Sequence, residues 1–224
     1  MKTWFYHPGA TIIGALLWFV GPARIEGAEH LPRSGPAIII ANHCSLMDPP
    51  MLGWATGHQV GRVVHFMAKV EMRRWPVIGW LARNAGVFFV RRGEGDRAAQ
   101  RVALEHLAEG RLIGIFPEGT RNPDGALIEG KPGVALLAMR AGVPIIPVGI
   151  TGTARRRRGP LRWLSREPIT FHVGEPFRLV YQPSGRLDRA ELERGTDMLM
   201  RAIATLLPEA QQGVYRVTPI QSEP

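Results

Sequence analysis

The chain has 224 residues, 45% of them hydrophobic and 21% charged, with a single cysteine. That length buries a sizeable core unaided, one cysteine excludes an internal disulfide scaffold, and the aliphatic content excludes a mainly disordered chain. Lys+Arg outnumber Asp+Glu by 28 to 19, for a net charge of +9 carried almost wholly by arginine. That balance fits anionic lipid headgroups, nucleic acid or a phosphorylated substrate alike.

The first element is an apolar run at 11–20, Thr-Ile-Ile-Gly-Ala-Leu-Leu-Trp-Phe-Val, preceded by Trp4, Phe5 and Tyr6 and closed by Gly21-Pro22. A helix of that length rises only about 15 Å, half of a ~30 Å hydrocarbon core. The run therefore suits a helical element, 1–22, lying at the membrane interface with its aromatic residues at headgroup level. A first helix buried on the domain is the alternative. A signal peptide is disfavoured, because Lys2 is the only early positive charge and no small-x-small cleavage site precedes Gly21-Pro22.

Short continuous apolar runs at 36–41, 62–68, 86–90, 112–116 and 145–150 read as strands buried on both faces. Helical stretches fall between them at 49–56, 76–84, 96–109 and 132–141, the third showing the clearest spacing and ending at Gly110. Two shorter strands are expected at 169–173 and 177–180, then an amphipathic helix at 188–207 and a loose polar tail at 208–224. The alternation predicts an α/β fold: a single domain over 23–207 with a largely parallel central sheet flanked by helices.

Three polar clusters directly follow predicted strands: Asn42-His43-Cys44-Ser45-Leu46-Met47-Asp48, then Arg91-Arg92, then Pro117-Glu118-Gly119-Thr120-Arg121. If those strands are parallel neighbours, all three meet on one sheet edge, where open α/β sheets bind ligands. On a helix His43 and Asp48 would diverge by about 140°, so they meet only across a loop. Pro49-Pro50 supports this by making Asp48 the N-cap of the following helix. An Asp on one ring nitrogen fixes the tautomer and leaves the other nitrogen to take a proton. On these two residues alone, a helix cap and a loop histidine account for the pair as well.

Cys44 and Ser45 lack a nucleophile elbow and read as packing or local hydrogen bonding. The histidines show no metal-ligand spacing, so no metal is expected. In Phe-Pro-Glu-Gly-Thr-Arg at 116–121, glycine lets backbone N–H groups approach an anion and Arg121 can grip phosphate. Glu118 can accept from a substrate hydroxyl or hold Arg121. An ordinary turn with an internal ion pair explains the segment equally.

Together the clusters resemble the glycerolipid acyltransferases of the 1-acylglycerol-3-phosphate (lysophosphatidic acid) acyltransferase type. The family's N-H-x4-D-P is matched by Asn42-His43 through Asp48-Pro49, and its G-x-x-F-[IV]-x-R by residues 86–92. F-P-E-G-T-R is intact at 116–121, and V-P-I-[IV]-P-V is matched at 143–148. Arg91 stands where many of the family carry Asp, a departure that bears on acceptor preference rather than on the reaction. The resemblance implies direct transfer of a fatty acyl group from acyl-CoA or acyl-carrier protein to the free hydroxyl of a lysophospholipid or glycerol phosphate, with no further cofactor. It implies His43 as general base and Asp48 as its orienting partner. Arg92, Glu118, Gly119, Thr120 and Arg121 then form the acceptor phosphate site, with Lys69 and Lys131 as additions. The expected location is the cytoplasmic face of the inner membrane, peripheral or monotopic.

Arg155 to Arg158, with Arg162, Trp163 and Arg166, form a basic aromatic stretch suited to anionic headgroups. A nucleic-acid module could use such a patch, but no nucleic-acid fold signature accompanies it and no nucleic-acid partner is expected. A non-catalytic lipid-binding relative is the third reading. The intact His43/Asp48 pair and F-P-E-G-T-R segment argue against it.

Overall fold

The structure is a computed structural model that describes residues 23–75, 79, 82, 86–90, 96–154, 168–179 and 188–216. Its strands are β1 (Ala23–Glu26), β2 (Ala37–Ala41), β3 (Val64–Lys69), β4 (Phe88–Val90), β5 (Leu112–Ile115), β6 (Ile145–Thr151) and β7 (Ile169–Val173). They form one sheet of seven strands in the order β1-β7-β6-β2-β5-β3-β4. The block β6-β2-β5-β3-β4 is parallel throughout; β7 lies antiparallel to β6, and β1 runs parallel to β7. The sheet is thus largely parallel, with a reversed pair at one edge.

Helices α1 (Asp48–Val60), α2 (Asp96–Ala108), α3 (Pro132–Ala141) and α4 (Arg189–Ala204) cover its faces. The Ile-rich run of β2 shows why it is central. Ile38 and Ile40 enter a core with Leu107, Leu137 and Leu199 from α2, α3 and α4. Ala37, Ile39 and Ala41 point the other way, against Met51, Leu52 and Ala55 of α1. All five residues are fully buried, and each Ile contributes about 1.5–3 kcal/mol relative to an exposed position. α4 begins on a capping box, Asp188 accepting from the Glu191 backbone while the Glu191 carboxylate accepts from the Asp188 N–H.

Three expectations are corrected. β1, Ala-Arg-Ile-Glu, was not anticipated; it is a four-residue edge strand of alternating burial, too short to stand out by period. Of the strand expected at 177–180, residues 177–179 are described and make a single bridge, Phe177 to Ile145, because β6 begins at Ile145 and the positions before it, Pro144 and the helix-capping Gly142 among them, offer no strand to pair with. The tail expected to be loose is instead packed as far as Arg216, folding into 3-10 turns at Glu209–Gln211 and Gly213–Tyr215. Of the helix expected at 76–84, Gly79 and Ala82 are described and both are helical. The apolar run at 11–20, Arg91, Arg92 and the arginine-rich stretch at 155–167 lie outside the described residues. Among the described residues no helix is long and apolar enough to cross a membrane.

Candidate active site

Asn42 follows β2 and ties it to β6. Its side-chain nitrogen donates to the Ile150 carbonyl at 2.9 Å, and its oxygen accepts from the Ile150 N–H at 2.7 Å. The chain then leaves the sheet edge, and His43 begins the loop to α1. That helix starts at Asp48, with Met47 at the N-cap position and no side-chain cap. Asp48 is therefore not the cap expected of it. Its carboxylate turns back over the loop, and Oδ2 accepts from the Cys44 N–H (2.7 Å), the Ser45 N–H (2.7 Å) and the ring Nδ1 of His43 (3.0 Å). Asp48 is fully buried. Since a carboxylate only accepts, Nδ1 is the donor, an arrangement that in the neutral ring leaves the lone pair on Nε2.

The His43 side chain is 16% exposed and stacks on Phe116 at a ring separation of 4.2 Å. Phe116 stacks in turn on Phe66 at 5.9 Å. This ladder needs Gly114, where a Cβ would come within 2.3 Å of the Phe66 ring. The imidazole is thus oriented by a buried charge on one side and an aromatic face on the other.

β5 is the parallel neighbour of β2, so the 116–121 segment emerges beside His43. Glu118 points inward and is 1% exposed. Its Oε1 accepts from the His43 backbone N–H at 2.7 Å and its Oε2 from the Ile128 N–H at 3.3 Å. Burial pushes its carboxyl up to about 7, the two N–H bonds opposing the shift and the Asp48 charge adding to it. The His43 carbonyl accepts from the Asn122 N–H at 2.8 Å. Both backbone groups of His43 are therefore held by the segment that follows β5.

Gly119 sits at φ 67°, and the Lys131 stem passes 3.3 Å from where its Cβ would lie. Thr120, Arg121 and Lys131 are exposed, and among the described residues Arg121 and Lys131 join no ion pair. Two unpaired cations next to a left-handed glycine form a surface that can receive an anion. Lys69 ends β3 on the same edge of the sheet, beyond β5.

Cys44 is buried, accepts weakly from the Asn42 amide at 3.4 Å, and its thiol is pushed up to about 12 by burial and then by the Asp48 charge. It stays protonated and serves packing. The Ser45 hydroxyl accepts from the Met47 N–H at 3.2 Å, a local loop bond. Sequence reasoning missed the roles of Phe66, Gly114 and Asn122. For Asn122 a signal existed in the turn sequence Asn-Pro-Asp-Gly at 122–125.

Residues 22–151 match the model of the family described as Acyltransferase. The chain is 35% identical over 195 residues to the lyso-ornithine lipid O-acyltransferase of Pseudomonas aeruginosa, covering 80% of this chain and 72% of that protein. It is 35% identical over 174 residues to the 1-acyl-sn-glycerol-3-phosphate acyltransferase of Limnanthes douglasii, covering 75% of this chain and 59% of that one. The crystal structure of the 1-acyl-sn-glycerophosphate acyltransferase PlsC from Thermotoga maritima superposes with a TM-score of 0.64 at 30% identity, over 89% of this chain and 78% of that one.

Proposed function

The chain belongs to the acyltransferase family of the 1-acylglycerol-3-phosphate type, and on that premise we propose that it transfers a fatty acyl group to the free hydroxyl of 1-acylglycerol 3-phosphate, yielding phosphatidic acid. The donor is acyl-CoA or acyl-carrier protein, and no other cofactor takes part. The carrying observation is the 3.0 Å bond from His43 Nδ1 to a fully buried Asp48 on a ring that is partly open to solvent. His43 Nε2 takes the acceptor hydroxyl proton as the oxygen attacks the thioester carbonyl. The tetrahedral intermediate collapses, the C–S bond breaks, and the imidazolium returns its proton to the leaving thiolate. General-base help supplies about 10²–10⁴-fold, so positioning of acceptor and donor must supply the rest.

In this reading Arg121, Lys131, Gly119 and Thr120 receive the acceptor phosphate, with Lys69 from the end of β3 and Arg92, two positions on from β4 in the sequence. Glu118 works from behind, because both its oxygens are engaged by backbone N–H groups. The location follows from strand direction. β1 and β7 run opposite to the parallel block, so Ala23 and Ile169, paired with each other, start at the same edge as His43. The segment carrying the apolar run and the one carrying Arg155 to Arg158 therefore join the sheet on the site's own edge. Exposed Leu46 and Trp75 lie in the connections that leave that edge after β2 and β3. This supports a peripheral or monotopic attachment; the location proposed for it is the cytoplasmic face of the inner membrane.

A second acceptor reading has its own support. The Pseudomonas relative bears the name of a lyso-ornithine lipid acyltransferase, and Arg91 departs from the Asp common in the family. Thiol release from acyl-CoA, measured with lysophosphatidic acid, glycerol 3-phosphate and lyso-ornithine lipid, tests both. The highest kcat/KM is expected for lysophosphatidic acid. Preference for lyso-ornithine lipid reassigns the acceptor, and no release with any of them, from acyl-CoA or from acyl-carrier protein, makes the chain a lipid-binding relative without catalysis.

A further inference from the structure

The loop from Asn122 to Lys131 carries the acceptor-side cations at its borders, Arg121 just before it and Lys131 as its last residue. On one side it is stitched to the catalytic segment: Asn122 N–H to the His43 carbonyl (2.8 Å), Ile128 N–H to Glu118 (3.3 Å) and Lys131 N–H to the Pro117 carbonyl (2.8 Å). Its other side is held by residues far along the chain. Leu127 N–H donates to the Gln211 carbonyl at 2.9 Å, the Leu127 carbonyl accepts from Val214 N–H at 3.4 Å, and Gly130 N–H donates to the Tyr215 hydroxyl at 3.0 Å. Leu127 and Gln211 are both nearly fully buried.

The contact leaves no slack. Gly213 has φ +54°, and a Cβ on it would lie 1.9 Å from the Leu127 carbonyl oxygen. At Gly130 a Cβ would meet Met200 of α4 at 2.6 Å, and at Gly125 it would meet Ala154 at 2.7 Å. Leu127 has both backbone groups committed to the C-terminal turns, while its neighbour Ile128 feeds Glu118, which in turn holds the His43 N–H.

We propose that residues 208–216 are a positioning strap for the acceptor side of the active site, acting through the 122–131 loop, with Tyr215 and Gly213 as its positioning residues. The strap sets the Gly130–Lys131 backbone, and thereby the place of the Lys131 stem beside Gly119, and it fixes the Ile128 N–H that engages Glu118. The proposal rests on the acyltransferase reading for its substrate. Its mechanical part stands on hydrogen bonds alone.

Tyr215→Phe removes the hydroxyl and keeps the ring that packs on the core. Steady-state thiol release with lysophosphatidic acid should show acceptor KM rising about three- to tenfold, the range commanded by one hydrogen bond, with kcat and donor KM within about twofold. Gly213→Ala should raise acceptor KM further, because it pushes on the Leu127 carbonyl; if that variant does not fold, Tyr215→Phe decides. A variant that melts earlier with an unchanged acceptor KM, or one whose donor KM rises in step, overturns the proposal. Amide exchange reads the strap without catalysis. In Tyr215→Phe, exchange should quicken at Gly130 and also at Ile128 and His43, and quickening at Gly130 alone breaks the chain of contacts. A wild-type protein that releases no thiol from either acyl-CoA or acyl-carrier protein defeats the acyltransferase reading while leaving this exchange test standing.

Discussion

Asp48→Asn separates the charge on the His43 partner from the geometry of the loop that presents it. Among the described residues all of the Asp48 carboxylate's hydrogen bonding runs through Oδ2, which takes three N–H groups, while Oδ1 is buried without a partner. An Asn side chain can place its oxygen at the Oδ2 position, keep all three contacts, and put its nitrogen where Oδ1 was. The loop shape survives. Turning three charge-assisted bonds into neutral ones weakens each by about 1 kcal/mol, and burying an unpaired amide N–H costs about 1–3 kcal/mol more. Against this stands relief from burying a full negative charge at a site with no solvent exposure. The opposing effects leave a modest net change, about 2 kcal/mol or less of lost stability. Catalysis has no such compensation, because the imidazolium that forms as the hydroxyl proton moves loses its counter-charge. A kcat loss of ~10³–10⁴-fold is expected, as when a neutral amide replaces the buried aspartate of a serine protease triad. Thiol release at saturating acceptor gives kcat, and urea unfolding of the same sample gives stability. A variant that keeps more than about one tenth of wild-type kcat refutes the argument. So does one whose activity loss is matched by unfolding at the assay temperature. Asp48→Ala provides the contrast, since it orphans the Cys44 and Ser45 N–H groups and should cost several kcal/mol.

Glu118 is raised from 4.5 to about 7, so between those values the folded protein holds a proton that the unfolded chain has released, and stability falls as pH rises through that window. Glu118→Gln does not titrate, so the stability of wild type relative to the variant should drop by roughly 2–3 kcal/mol from pH 5 to pH 8; urea titrations at the two pH values check it, and a flat difference contradicts it. Arg121→Ala should raise acceptor KM by about 10–100-fold with donor KM unchanged, and Arg121→Lys should recover only part, since an ammonium cannot chelate two phosphate oxygens. Equal rises for donor and acceptor would remove Arg121 from the acceptor site. Gly114→Ala should lower stability by about 3 kcal/mol by driving a methyl into Phe66, and adding Phe66→Leu should restore much of it. A double variant no more stable than the single one shows that the overlap is not the cause.

Much of the fold was legible because its main signals are local. β2, β5 and β6 lie within predicted runs at 36–41, 112–116 and 145–150 or extend them by one residue, as strands buried on both faces carry aliphatics without alternation. α2, α3 and α4 fall inside the predicted stretches at 96–109, 132–141 and 188–207, marked by helical spacing and flanking glycine or proline. β1 was illegible because four alternating residues at an edge gain their identity from β7, some 146 positions away at Ala23↔Ile169. The strand expected at 177–180 stops at one bridge for a related reason: its composition was suitable, but β6 begins at Ile145 and offers no further strand to pair with.

The site divides along the same line. His43 and Asp48 are five positions apart, and the proline pair after them already implied a loop that lets them meet; the 116–121 segment announced itself by composition. The sequence also determined the charge, the apolar run and the arginine-rich stretch. Only the tertiary structure decided that Asp48 gathers three N–H groups of its own loop instead of capping α1, and that Glu118 turns away from solvent to hold the His43 backbone. It alone decided that residues 208–216 are hydrogen-bonded to the loop at 122–131 rather than a loose tail. Periodicity and residue type record which groups want burial or a partner. Which partner a backbone N–H or a buried carboxylate finds depends on contacts between segments remote in the chain, and those exist only once the sheet order has brought β2 beside β5.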